Sequence, residues 1–339
     1  MLLALHKLFP QAPLFTSVYN REKAPWAKVF EVKTSFLQKF PKAQTAHELY
    51  AWLMPLAFES FNFDEFDLVI SVTSEAAKGI ITKPRTLHIC YCLTPTRYLW
   101  SGYDDYFKGR LFRLFTKPVV ASLRNWDRIA AQRPDEYIAI STEVQDRISK
   151  YYGRHSEIIY PPLTINAQNS SSEKTEDYFL VVSRLTNFYK RVDIVIKACN
   201  ELKLPLKVVG GGLDKKSLMK IGGPTVEFLG NLTDDELAVY YKKCRALIFP
   251  GREDFGLTMV EAQSFGRPVI AFRGGGALDI IKEGVTGEFF AEQTTGSLKG
   301  VLKSFAENRY NTQLCRENAE RFTFAHFETD LKKFLNKKI

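Results

Sequence analysis

The chain has 339 residues, of which 45% are hydrophobic and 25% charged, and its formal net charge is +9. This composition excludes a disordered or fibrous protein and suffices for two domains, each with its own core. The apolar runs are too short for a membrane span or a signal-peptide core, and the five cysteines lack disulfide-framework or metal-site spacing. We therefore expect a reduced, cytoplasmic protein.

The positive charge predicts an anionic partner, and the densest basic stretch is residues 107–128, where Lys and Arg alternate with Phe, Leu and Trp. This pattern is typical of an amphipathic helix pair that lies on anionic lipid headgroups at the inner face of a membrane. Two ordinary surface helices with solvated charges would show the same pattern. No signature of a nucleic-acid-binding module is present, so nucleic acid is not an expected partner.

From about residue 67 the chain alternates short apolar runs with helical stretches such as 191–202 and 234–243. Near-continuous apolar strands separated by helices predict an α/β fold with doubly wound parallel sheets. The predicted strands are 67–72, 87–92, 136–140, 157–160, 178–182, 206–209, 225–229, 246–249 and 268–272.

A break in this alternation predicts the domain organisation. Pro161 and Pro162 end the first half, and a polar, Ser-rich stretch follows. We predict a first Rossmann-like domain at 1–163, a linker at 164–176 and a second Rossmann-like domain at 177–321. A helix at 322–339, apolar at helical spacing, would pack on its own domain or cross back to the first.

The window 249–263 carries the strongest chemical signal. A strand ends near Phe249, a Gly/Pro loop follows, and a helix begins near Gly256. In open α/β sheets ligands bind beyond the carboxyl ends of strands, and a helix start offers free N–H groups to a phosphate. Glu253 and Glu261 can face one cleft and suit sugar or ribose hydroxyls better than phosphate, although capping or solvated carboxylates would show the same spacing.

The pair Glu253 and Glu261, with Phe255-Gly256 between them, resembles the signature of the family 4 retaining glycosyltransferases, which have the two-domain GT-B fold. The motifs that support the resemblance are Arg184 and Lys190 after a strand, the turn Gly210-Gly211-Gly212, the strand end Phe228-Leu229-Gly230, and the loops 274–276 and 283–287. The resemblance implies a metal-independent, retaining hexosyltransferase.

The resemblance also implies a role for each site residue. Arg184 and Lys190 would stabilise the leaving diphosphate, Glu261 would bind the ribose and Glu253 the donor sugar. The candidate catalytic residues are thus Glu253, Arg184 and Lys190. Candidate donor-binding residues are Gly210, Gly211, Leu229, Gly230, Phe255, Gly256, Leu257, Thr258 and Glu261. An Asp-x-Asp metal motif is absent, so we expect neither a metal nor a cofactor beside the nucleotide-sugar substrate.

The first half resembles a narrower branch, the GDP-mannose-dependent mannosyltransferases of bacterial surface-polysaccharide assembly. The segments that carry this resemblance are 8–13 with Tyr19, 34–37, 87–100, 151–153 and 159–162. The resemblance implies transfer of mannose from GDP-mannose to a saccharide or lipid-linked saccharide. Thr94 and Arg97, just past a strand end, are candidates for acceptor or cleft contacts, and Arg97 could equally pair with a local carboxylate.

Two departures from this branch keep other functions open. Leu93 stands where many relatives have His, and the chain begins inside the helix that follows a first strand and Gly-rich turn in relatives. We therefore expect the first domain to lack that strand. The alternative is a catalytically impaired nucleotide-sugar-binding protein or a truncated gene product. A GT-B nucleotide-sugar epimerase is disfavoured, because it needs an acid/base array that the first half does not offer.

Overall fold

The structure, a computed structural model, describes residues 1–107, 109–165 and 174–338. The chain forms two compact units, Met1–Tyr160 and Pro161–Ile339. Most of the predicted linker, residues 166–173, lies outside the described residues, so the domain boundaries stay predictions.

Over the described residues the strands are β1 (Leu14–Thr16), β2 (Val32–Thr34), β3 (Leu68–Thr73), β4 (Leu87–Cys92), β5 (Glu136–Ala139), β6 (Glu157–Ile158), β7 (Phe179–Val182), β8 (Leu206–Val209), β9 (Val226–Gly230), β10 (Ala246–Phe249), β11 (Val269–Phe272) and β12 (Gly287–Phe290). The α-helices are α1 (Leu2–Leu8), α2 (Met54–Glu59), α3 (Tyr103–Tyr106), α4 (Arg110–Ala130), α5 (Thr142–Tyr152), α6 (Asn187–Lys190), α7 (Val192–Leu202), α8 (Lys215–Ile221), α9 (Asp234–Lys243), α10 (Leu257–Ser264), α11 (Ala277–Ile280), α12 (Thr295–Ser304), α13 (Thr312–Glu320) and α14 (Phe324–Asn336). Short 3₁₀ helices lie at Pro25–Val29, Phe36–Lys39, His47–Leu53, Ala76–Gly79 and Glu307–Arg309.

The first unit contains a parallel sheet of four described strands in the order β3-β4-β5-β6 and a separate parallel pair, β1-β2. β4 lies inside the larger sheet and is buried from His88 to Cys92, as its continuous apolar sequence predicts. In the described part of the chain, β3 pairs with β4 alone, and its Val69, Ile70 and Val72 are only half-buried. β3 is therefore an edge strand.

A cavity of about 830 Å³ separates the two sheets of the first unit. Residues of β1 and of β3 both line it, together with a cluster of aromatic side chains that includes Phe58, Phe63 and Phe66. The cavity thus runs along the free edge of β3.

The second unit is built on a parallel sheet of six described strands in the order β12-β11-β10-β7-β8-β9. Its core packs α7 and α12 against apolar residues of the strands. From the central β7 the chain adds β8 and β9 on one side and then returns to β10 on the other. The sheet therefore has its topological switch point between β7 and β10, where α/β proteins bind ligands.

The predicted α/β fold with parallel sheets is confirmed, and strands 87–92, 206–209 and 246–249 have the predicted bounds. α9 begins where predicted because Thr233 and Glu236 form a capping box. α7 begins one residue later than predicted because Arg191 adopts the left-handed conformation, with φ +52°. α14 lies within the predicted helix 322–339 and in the second unit, and it buries Phe327, Leu331, Phe334 and Leu335.

Candidate functional site

The candidate site lies where the carboxyl ends of β7 to β11 meet at one edge of the second sheet. The loops after these strands are 183–190, 210–212, 231–233, 250–256 and 273–276. Because the strands are parallel, every loop that follows a strand emerges at this edge.

The glycine turn after β8 packs directly against the segment that follows β7. Gly210 has φ +126°, and a Cβ there would lie 2.0 Å from the carbonyl oxygen of Ser183. The Leu185 N–H donates a hydrogen bond of 2.9 Å to the Gly211 carbonyl, and the Gly210 N–H donates one of 2.7 Å to Gly230. The turn is thus tied to the ends of β7 and β9, and only glycine fits its first position.

Lys190 and Glu253 meet at the switch point between β7 and β10. The Lys190 Nζ lies 2.5 Å from the Glu253 Oε1, and the two side chains are 20% and 14% exposed. Arg184, on the same loop as Lys190, is exposed and makes no ion pair with the described residues. The structure therefore brings two of the three candidate catalytic residues into direct contact.

The backbone around Glu253 is fixed by close approaches of glycine. Gly275 has φ +64°, a Cβ there would lie 2.3 Å from the Glu253 carbonyl oxygen, and the Gly276 N–H donates to that oxygen at 2.9 Å. On the other side, a Cβ at Gly251 would lie 2.9 Å from the Tyr189 carbonyl oxygen. The loop after β10 is thus held between the Lys190 segment and the loop after β11.

α10 begins directly after this loop, with Gly256 as its N-cap at φ +106°. Phe255 is buried, and its ring contacts the Phe322 ring edge-on, with centroids 5.6 Å apart. Leu257 and Thr258 are half-buried. Because they stand in the first turn of α10, their backbone N–H groups have no partner within the helix, as an anion site requires.

Glu261 lies one helical turn further into α10 and is 5% exposed. Its Oε2 accepts a hydrogen bond of 2.8 Å from the Tyr241 hydroxyl, and its Oε1 accepts one of 3.0 Å from the Thr164 hydroxyl. Burial raises the pKa of Glu261, and these two hydrogen bonds oppose the shift. A ribose would have to share this carboxylate with Tyr241 and Thr164.

Tyr241, Thr164 and Gly251 are site residues that the sequence analysis missed. Tyr241 follows Leu237 by four residues on the buried face of α9, and a buried tyrosine hydroxyl needs a partner, which is a usable signal. The Pro250-Gly251 dipeptide signals a turn. Thr164 gave no signal, because nothing local to it indicates a contact with a residue 97 positions away.

In the first unit, Thr94 and Arg97 follow β4 as predicted. Thr94 is buried and accepts a hydrogen bond of 3.1 Å from Arg147, which also pairs with Glu143 at 2.6 Å. Arg97 is half-buried. The Thr94 hydroxyl thus already has a partner inside its own unit.

A buried ion pair lies beneath the segment that carries Thr94 and Arg97. The Lys78 Nζ is 2.5 Å from the Asp127 Oδ1, and the two side chains are 2% and 1% exposed. Asp127 also accepts hydrogen bonds from the Thr96 hydroxyl at 2.9 Å and the Trp100 Nε1 at 2.7 Å. Asp127, on α4, therefore anchors the segment after β4 from below.

The predicted basic segment 107–128 forms most of α4, although Lys108 lies outside the described residues. Leu114, Phe115 and Val119 are exposed on this helix, Phe115 at 76%, and Lys117 is exposed beside them. No helix in the described ranges is both long and apolar enough to cross a bilayer. The same ranges hold no cluster of His, Cys, Asp and Glu suited to a metal ion.

Curated relatives match parts of the chain. An uncharacterised glycosyltransferase of Methanocaldococcus jannaschii is 26% identical over 59% of this chain and 58% of its own length. The O-antigen chain mannosyltransferase C of Escherichia coli is 27% identical over 64% of this chain and 62% of its own length. The chain thus spans about 60% of these relatives.

A structural comparison agrees with the fold. The crystal structure of Anabaena HepE in complex with UDP and glucose aligns with a TM-score of 0.67 at 18% identity, over 99% of this chain and 94% of that one. Two Rossmann-like domains of the GT-B type are thus supported. Residues 164–322, which contain the Lys190–Glu253 contact and the glycine turns, match the family described as glycosyl transferases group 1, and the match covers just under half of the chain.

Proposed function

We propose that the protein is a retaining glycosyltransferase that moves a hexose, mannose from GDP-mannose, to a saccharide or lipid-linked saccharide acceptor in surface-polysaccharide assembly. The observation that carries the proposal is the meeting of Lys190 and Glu253 at the switch point of the second sheet. A cation and a carboxylate at one point suit a donor that carries a diphosphate and a polyhydroxylated sugar.

The proposed roles follow from the chemistry of each group. Lys190 and Arg184 neutralise the diphosphate, and the N–H groups at the start of α10 add the positive end of the helix dipole. Glu253 accepts hydrogen bonds from the hexose hydroxyls, and Glu261 accepts them from the ribose. Thr94 and Arg97 are the proposed contacts of the acceptor side.

In the proposed reaction, the bond between the anomeric carbon and the diphosphate oxygen breaks while the acceptor oxygen bonds to the same face of the sugar. The acceptor proton passes to the departing phosphate oxygen, so charge and atoms balance without an added base. Because the protein supplies the positive charge, the proposal needs no metal ion. Turnover that persists in excess chelator would support this, and its loss would contradict it.

The relatives bear on the identity of the donor nucleotide and sugar. The match to an O-antigen chain mannosyltransferase favours mannose as the sugar, whereas HepE was solved with UDP and glucose. Thermal unfolding in the presence of GDP or UDP separates the two. At a hundredfold excess over Kd a ligand stabilises the native state by about 2.7 kcal/mol. We expect this gain with GDP, and a gain with UDP alone would overturn the mannose assignment.

Lys190→Ala should remove most of the GDP stabilisation. Lys197→Ala is the matched control, since Lys197 is an exposed lysine that pairs with Asp193 on α7. Equal stabilisation in wild type and in the double variant Arg184→Ala, Lys190→Ala would refute the diphosphate site.

A transfer assay with GDP-mannose and lipid-linked or soluble saccharides tests the reaction itself. Product formation with retained anomeric configuration supports the enzyme. Nucleotide binding with no transfer to any acceptor would favour the impaired nucleotide-sugar-binding protein.

The proposal includes peripheral contact between α4 and an anionic membrane. Exposed Leu114, Phe115 and Val119 beside basic side chains fit a lipid surface. Phe115→Ser should weaken co-sedimentation with phosphatidylglycerol vesicles, whereas Val239→Ser, at an exposed apolar position of the second unit, should not. Equal binding of both variants would exclude α4 as the contact.

A further inference from the structure

The ion pair between Lys190 and Glu253 has a consequence for the order in which ligand groups engage the site. The 2.5 Å contact makes the ammonium and the carboxylate each other's charge partners, although the Glu253 Oε1 accepts no well-oriented hydrogen bond from the described residues. Each of them is also the proposed partner of a different part of the donor. While the two side chains remain paired, the Glu253 charge cancels much of the positive charge that Lys190 would offer to a diphosphate.

The partial burial of the pair makes it significant for binding. With 20% and 14% of the side chains exposed, the contact is screened by solvent less than a surface ion pair. A diphosphate that reaches Lys190 would place its negative oxygens beside the Glu253 carboxylate. That repulsion persists unless Glu253 acquires hydrogen-bond donors of its own.

At Glu253 a change of partner has to be made by the side chain, because the backbone of this residue is held in place. The Gly276 N–H holds the Glu253 carbonyl at 2.9 Å, and the close approach of Gly275 leaves no space for this backbone to shift. On the opposite side, a Cβ at Gly251 would come within 3.3 Å of the Glu253 Oε1. The exchange therefore needs a rotation of one side chain within a fixed loop.

We propose that the site exchanges partners on donor binding: the diphosphate takes Lys190 from Glu253, and the hexose hydroxyls take Glu253. This proposal rests on the proposed function and adds a selection step to it. A nucleoside diphosphate without a sugar leaves Glu253 unpaired beside its phosphates. Glu253 therefore opposes the binding of the free nucleoside diphosphate, favours the complete donor, and re-forms its pair with Lys190 as the product nucleotide leaves.

The test is a titration calorimetry series with GDP and UDP, each with and without the attached hexose. Glu253→Gln keeps the side-chain volume and removes the competing charge. We expect it to bind the free nucleoside diphosphate about tenfold more tightly than wild type, which is about 1.4 kcal/mol. Its affinity for the complete donor should rise by much less or fall.

Two control variants make the result specific. Glu328→Gln removes a carboxylate that pairs with Lys332 on α14 of the same unit, outside the site loops, and it should leave both affinities unchanged. In a Lys190→Met background, Glu253→Gln should give a clearly smaller gain for the nucleoside diphosphate, because it then relieves only the repulsion and releases no lysine. Circular dichroism of each variant checks that it is folded.

The outcomes separate this inference from the proposed function. Wild type that binds neither nucleotide in either form overturns both. Wild type that binds, with a Glu253→Gln variant that gains nothing for the free nucleoside diphosphate, overturns the exchange alone. A gain of undiminished size without Lys190 would also overturn it, because charge removal alone would then explain the effect.

Discussion

Replacing Asp127 by Asn should destabilise the first unit more than any comparable loss of a surface carboxylate. The substitution keeps the side-chain volume and leaves the Lys78 ammonium, 2% exposed, without its counter-charge. Lys78 would keep its hydrogen bond of 2.7 Å to the Glu75 carbonyl, a long contact with Thr96 and its positions over the Trp126 and Tyr152 rings, none of which carries a counter-charge. Without the carboxylate, the buried ammonium loses most of the favourable interaction that offset the free energy of removing it from water.

Removing one partner of a buried ion pair typically costs about 3–5 kcal/mol. Because Asn retains an oxygen that can accept from Thr96 or Trp100, we expect the lower end, about 3 kcal/mol. For a unit of this size that corresponds to a fall in Tm of roughly 6–12 °C. It is a large share of the roughly 5–15 kcal/mol by which domains are stable.

Tryptophan fluorescence during urea unfolding reports this unit selectively. The chain has four tryptophans, at positions 26, 52, 100 and 126, and all of them lie within the unit Met1–Tyr160. Asp64→Asn is the matched control, since Asp64 pairs with Lys83 at 2.7 Å in an exposed position, and it should cost at most about 1 kcal/mol. Losses of the same size in both variants would refute the reasoning, because the Lys78–Asp127 pair would then behave as a solvated one.

Three further predictions concern local features of the fold. Burial lowers the pKa of His88 to about 3, so the free energy of unfolding of the first unit should decrease as the pH falls below 6.5. His88→Gln should make this decrease smaller in unfolding followed by tryptophan fluorescence. An unchanged pH dependence in the variant would contradict the prediction. Gly210→Ala should abolish GDP stabilisation because its Cβ has no space, whereas Gly296→Ala, where a Cβ meets nothing within 4 Å, should bind normally. Hydrogen exchange should be faster in the edge strand β3 than in the central strand β7, and equal strong protection would show that the edge of β3 is covered.

The sequence could predict the site loops because each follows an apolar strand. Lys190 and Glu253 were both expected at the carboxyl edge of a parallel sheet. Their direct contact could not be derived, since it depends on β10 returning to pair with β7 rather than continuing beyond β9. Strand order is decided by packing across the whole sheet, and a local sequence pattern carries no information about it.

The last strand of the second sheet and the partners of Glu261 could not be predicted from the sequence either, for physical reasons. β12 begins with Gly287 and contains Glu288, and these two residues weaken the strand pattern of its sequence. The glycine is required there, because a Cβ at Gly287 would lie 2.0 Å from the Val269 carbonyl oxygen. An isolated glycine in a strand marks such close approaches. The partners of Glu261, Tyr241 and Thr164, come from distant parts of the sequence and required the tertiary structure.

The cavity between β1 and β3 has a consequence for the behaviour of the protein in solution. The N–H and C=O groups on the free edge of a parallel strand form a template for another extended segment. The half-buried Val69, Ile70 and Val72 add apolar surface to that template. Self-association should therefore begin at this edge, with a rate that rises as the square of protein concentration. A charged residue introduced at Val69 should slow it as a gatekeeper does in natural edge strands.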